Sequence, residues 1–126
     1  MTLDFGPHGR AVMDRPFVPV TFDGAWPTAA KLHGGATRDL NVVTAHDGAG
    51  SQVAVLEVGA EGLALAAGPG LTLVHVLAGS VMAETPDRPV DLATGDTLRH
   101  DGTGAIGSIA PTDGQALVYR IDIDLA

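Results

Sequence analysis

Leu117-Val118-Tyr119-Arg120-Ile121-Asp122-Ile123-Asp124-Leu125 alternates apolar and polar residues with a period of two. In an extended chain that spacing puts Leu117, Tyr119, Ile121, Ile123 and Leu125 on one face and Arg120, Asp122 and Asp124 on the other. The pattern predicts a half-buried strand with a solvated back. A second stretch, Leu71-Thr72-Leu73-Val74-His75-Val76-Leu77-Ala78, is apolar on both faces and bounded by Gly70 and Gly79. That is the pattern of a central strand covered on both sides, with His75 on the face of Leu73 and Leu77. Shorter runs at Met1 to Phe5, Arg10 to Asp14, Pro19 to Phe22, Gln52 to Val58, Leu63 to Ala67, Val81 to Glu84, Val90 to Leu92 and Thr97 to His100 read as further strands. No segment carries a sustained 3.6-residue apolar stripe of helical length. The fold class expected is all-β, an antiparallel barrel or jelly roll.

Composition supports many turns and one domain over residues 1–126. Gly 17 and Pro 8 recur between the apolar runs instead of gathering in a linker. With 45% hydrophobic residues, 126 residues can bury a core without metals or disulfides. The formal charge of -8 repels phosphate backbones and anionic lipid, so nucleic acid and membrane surfaces are not expected partners. Cysteine is absent, which removes both disulfides and thiolate metal sites. No basic-then-apolar leader or apolar run of about 18 residues is visible, and the expectation is a soluble cytoplasmic protein.

The polar stretch that invites a functional reading is Gly34-Gly35-Ala36-Thr37-Arg38-Asp39-Leu40-Asn41. Burying an unpaired amide or hydroxyl costs roughly 2–7 kcal/mol, so Arg38, Asp39 and Asn41 must be solvated, paired or facing a ligand. If the stretch is a regular strand, alternation puts Asp39 and Asn41 on one face and Arg38 with Leu40 on the other. Asp39 and Asn41 would then line a pocket, and Arg38 would sit at its rim, suited to a carboxylate. A structural network explains the same residues without a ligand. Trp26, the only Trp, fits either an aromatic lid or a ligand-stacking role.

Phe22-Asp23-Gly24-Ala25-Trp26-Pro27, the Gly34 to Asn41 stretch and Gly95-Asp96-Thr97, with Arg15-Pro16-Phe17 before them, resemble the second half of the HutD/Ves family of bicupins. The Arg38-Asp39-Leu40-Asn41 run is the most specific part. The turn phrase Asp91-Leu92-Ala93-Thr94-Gly95-Asp96-Thr97-Leu98 also resembles one found in cupin barrels, although Gly-Asp turns occur in many β proteins. This sequence departs from the family at Ala25, usually Asp there, and at Val43, often Met. The family's opening Trp-x-Asn-Gly-Gly-Gly phrase has no counterpart, so the chain resembles the C-terminal cupin half. The resemblance implies a cupin barrel and a link to histidine utilisation through a small metabolite such as urocanate or formylglutamate.

Cupin barrels often hold a metal through a His-x-His pair, since alternate residues share a face. Here Leu73 and Leu77 flank His75, and His8, His33, His46 and His100 form no such pair. No metal or other cofactor is expected. His75 reads either as a hydrogen-bonded core imidazole or as a ligand contact. The favoured reading is a non-enzymatic binder of a small carboxylate, with Arg38, Asp39, Asn41, Trp26 and His75 as candidate ligand contacts and no catalytic residues. The alternatives are a metal-independent cupin isomerase or lyase using Asp39 or His75 as base, and a structural module that forms a homodimer.

Overall fold

In a computed structural model, which describes residues 1–45, 49–101 and 104–124, the chain is built almost wholly of antiparallel strands. They are β1 (Thr2–Asp4), β2 (Arg10–Val12), β3 (Ala29–Lys31), β4 (Gly50–Val58), β5 (Leu63–Leu65), β6 (Leu71–Ala78), β7 (Val81–Glu84), β8 (Pro89–Leu92), β9 (Thr97–Asp101), β10 (Gly107–Pro111) and β11 (Ala116–Asp124). Among the described residues a single 3₁₀ turn spans Gly6–His8. None of the described helices is long and apolar enough to cross a membrane. The all-β class expected from the alternating runs is therefore observed.

The chain divides into two compact units, Met1–Asn41 and Val42–Ala126. The second holds two four-stranded sheets, ordered β5-β10-β7-β8 and β4-β11-β6-β9. Each places strands distant in sequence side by side, and together the eight strands have the two-sheet connectivity of a jelly roll, the architecture of cupins. Val58, Val74, Val76, Ala116 and Val118 from one sheet meet Leu65, Val81, Ala83, Leu92 and Ile109 from the other, with Ile106 beside them. Fully burying a Val or Ile side chain is worth about 1.5–3 kcal/mol, so this cluster supplies most of the unit's driving force.

The turn from β8 to β9 shows why Thr94-Gly95-Asp96 is suited to its place. Gly95 has a left-handed φ of 93°. The Asp96 carboxylate accepts from the Ala93 N–H at 2.8 Å, and the Gly95 N–H donates to the Val76 carbonyl at 2.8 Å. The turn is thus closed on itself and hydrogen-bonded to β6.

Three expectations need correction. In β11 the jelly-roll core takes Ala116 and Val118, from the face that also carries Arg120 and Asp122, and the register shifts between Leu117 and Val118 against β6. Ile121 is also buried, on the opposite face, so both faces of this strand carry apolar weight. Arg120 and Asp122 do not lie on a solvated back: their side chains are only 17% and 19% exposed. Pro19 to Phe22 and Arg38 to Asn41 form no strand. Conversely, β3 and β10 arise where no strand was expected, since Gly, Ala, Ser and Pro leave only Ile109 as a strong apolar signal. Leu125 and His46 lie outside the described residues.

In the Met1–Asn41 unit, β1 is the centre of a three-stranded sheet ordered β2-β1-β3. Leu3 and Phe5 are buried. Phe5 packs on Phe22, with ring centroids 4.9 Å apart, and edge-on to Trp26 at 5.6 Å.

Candidate functional site

One end of the jelly-roll interior is polar. Thr72, Val74 and Val76 alternate along β6 on its inner face, and Thr72 is the only buried polar residue among those described. Its hydroxyl donates to Asp122 Oδ1 at 2.7 Å. From β11, Arg120 Nε donates to Asp122 Oδ2 at 2.9 Å, and its Nη2 donates both to Asp122 Oδ1 at 3.2 Å and to the Ala66 carbonyl at 2.5 Å. The guanidinium therefore ties the β5–β6 connection to the end of the sheet. Gly68 lies so close that a Cβ there would collide with Asp122 Oδ1. The absence of a side chain at 68 is what lets the connection close over the carboxylate.

Electrostatics here follow from geometry. Burial would raise the Asp122 pKa, but hydrogen bonds from Arg120 and Thr72, with the Arg120 charge, outweigh it and hold the carboxyl below its ordinary value. Asp122 also opens onto a pocket of about 240 Å³ lined by Gly50, Ser51, Gln52, Pro69 and Asp124. Its lining offers carboxylate and amide oxygens to a ligand's N–H groups, and the Gln52 amide can also donate. On β9, His100 pairs in register with Thr72 and has a buried Nε2 with no hydrogen-bond partner among the described residues. Leaving such an atom unsatisfied costs about 1–3 kcal/mol.

The residues singled out in the sequence lie elsewhere. Arg38, Asp39 and Asn41 are exposed and in irregular backbone, so the two-face division expected of a strand does not apply. Asn41 Nδ2 donates to Asp39 Oδ2 at 3.1 Å, a local contact between near neighbours. Trp26 is half-buried and stacks on His8 with ring centroids 4.5 Å apart, edge-on to Phe5. Half-buried His75 lies on the face of β6 opposite Thr72, Val74 and Val76, with Nδ1 2.8 Å from Thr97 Oγ1. Arg38, Asp39, Asn41 and Trp26 belong to the Met1–Asn41 unit and His75 to the jelly roll. The Thr72, Arg120 and Asp122 cluster went unread because Arg120 and Asp122 looked like a solvated face. The usable signal was Thr72 in phase with Val74 and Val76, with Gly68 shortly before it.

The donor set does not suit a cupin metal. The inner face of β6 presents Thr72, Val74 and Val76, His75 faces away, and among the described residues no three His, Asp or Glu side chains are grouped for coordination.

The HutD family model matches residues 1–118. No curated protein matches the chain. Among solved structures, a cupin protein from Bacteroides fragilis is similar: it is 17% identical, with a TM-score of 0.52 over 68% of this chain and 83% of that chain. At that identity the likeness speaks for the fold alone.

Proposed function

Because this chain belongs to the HutD family and has a cupin fold, we propose that it is a non-enzymatic regulator that binds a small carboxylate metabolite of histidine utilisation by its N–H groups in the polar end of its jelly roll, the ligand's own carboxylate turned out to solvent away from Asp122 and Asp124. The observation that carries this reading is the Asp122 carboxylate, held by Arg120 and Thr72, at the wall of the Gln52 and Asp124 pocket. An otherwise apolar interior has polar groups concentrated at one open end, where a ligand bearing N–H groups finds oriented acceptors. The imidazole of urocanate and the formamide of formylglutamate are such groups. His100 Nε2, buried and without a hydrogen-bond partner among the described residues, offers a further polar contact within the same unit.

Arg120 here is a positioning residue, since its guanidinium is spent on Asp122 and the Ala66 carbonyl. Asp122, the pocket's part-buried carboxylate, is held ionised by Arg120 and Thr72 with its pKa lowered, which suits it to accept a hydrogen bond more than to take up a proton. That favours binding over turnover. Titration calorimetry of the full chain with urocanate and with formylglutamate should show saturable binding of at least one acid, recovered unchanged after overnight incubation. Gln52→Ala should weaken that binding about three- to tenfold, the loss of one hydrogen bond. Absence of binding for both acids, or conversion of either to product, would sink the reading.

A further inference from the structure

We propose that the outer face of the Met1–Asn41 sheet is a recognition site for a small dicarboxylate, distinct from the jelly-roll pocket and not dependent on it. In the sheet ordered β2-β1-β3, Asp4 stands opposite Arg10 on one side and Ala29 on the other, while Thr2 stands opposite Lys31. Directly opposed residues share a face, so Thr2, Asp4, Arg10 and Lys31 project together, away from buried Leu3. His33 joins them, its Nε2 2.9 Å from the Thr2 hydroxyl. These residues line an open concavity of about 310 Å³.

The charge balance of this face is unlike that of the chain, which carries a formal charge of -8. Arg10 and Lys31, the chain's only lysine, form no ion pair among the described residues. The one carboxylate present, Asp4, has Oδ1 engaged by the Gly6 N–H at 2.9 Å. Two free cations, one hydroxyl and one hydrogen-bonded imidazole thus share a concave surface. Strand spacing of about 4.8 Å and a rise of about 3.4 Å per residue put the Cα atoms of Arg10 and Lys31 roughly 12 Å apart, across two spacings and along two residues. Long side chains reaching inward from that separation can each take one end of the same ligand. Arg10 offers a fork to one carboxylate and Lys31 a point charge to the other, with Asp4 between them disfavouring a compact, densely charged anion.

Titration calorimetry of the full chain with glutarate at low ionic strength tests this site. Saturable binding is expected, at least tenfold tighter than acetate and tighter than inorganic phosphate. The Arg10→Gln/Lys31→Gln double variant should lose it by tenfold or more, with Trp26 fluorescence and thermal midpoint unchanged because both side chains are exposed. Gln52→Ala should leave glutarate binding intact, which separates this site from the jelly-roll pocket. Equal affinity for acetate, tighter binding of phosphate, undiminished binding by the double variant, or no binding at all would overturn the proposal.

Discussion

The Val42–Ala126 jelly roll and the Met1–Asn41 unit are both antiparallel β structure, yet they use sequence differently. In the jelly roll, apolar residues from two sheets meet face to face, and Val76, Val81 and Val118 are fully buried. The first unit has one small sheet, and its sequestered side chains are Leu3 and Phe5 beside an aromatic group. Many of the large apolar residues left exposed, including Val12, Phe17, Val18, Leu32 and Leu40, belong to it. The difference teaches that apolar content does not make a core unless strands are long enough, and numerous enough, to face one another.

The most disruptive single change expected is Gly107→Ala. Gly107 has φ +131°, and a Cβ would collide with the Glu84 carbonyl across the β10–β7 pairing. The change should cost several kcal/mol, on the order of the largest point-mutant effects, and lower the denaturant midpoint sharply. Next comes Ile109→Ala in the inter-sheet core, with an expected loss of about 2–5 kcal/mol and an unchanged m-value.

Arg120→Met should have an intermediate effect of about 1–3 kcal/mol, because it strands a part-buried carboxylate. Replacing Asp122 as well, as Arg120→Met/Asp122→Leu, should recover much of that loss. The pH dependence has a definite sign. Asp122 has its pKa depressed by folding, so its contribution to stability is present above the unfolded value of 3.8. It is lost as pH falls through the lower folded-state pKa. Stability differences between wild type and Asp122→Asn, measured by urea melts from pH 7 to pH 3, should therefore be constant near neutrality and shrink below about pH 4. A difference that grows on acidification would contradict the pairing.

Trp26, the only Trp, sits in the first unit and gives that unit its own signal. Its fluorescence should change at lower urea than the far-UV circular dichroism, which the jelly-roll strands dominate. Coincident transitions would show the two units unfolding as one and would break the comparison. The smallest effect expected is from Asn41→Ala, which removes an exposed hydrogen bond to Asp39 and should shift stability by less than about 0.5 kcal/mol.

Much of the jelly roll was legible because strand alternation and turn chemistry are local. Leu71 to Ala78 emerged as β6 with its expected bounds, and Val81 to Glu84 likewise as β7. The Gly95-Asp96 turn also fell where its residues suggested. By contrast, β3 and β10 are held by neighbouring strands more than by their own side chains, so local pattern carried little trace of them. The candidate site was less legible than the fold. Thr72 and Asp122 are fifty positions apart, and only antiparallel pairing of β6 with β11 makes them partners.

By itself the sequence determined the β class, most strand positions and the family features in Arg38-Asp39-Leu40-Asn41, since each rests on residue types and spacing within a few positions. Only the tertiary structure decided which face of β11 joins the core. A period of two separates two faces without naming the inner one, and the inner one is the face that meets another sheet. That decision turned Asp122 from part of a solvated back into the wall of the pocket, and Arg120 into the guanidinium that holds it there.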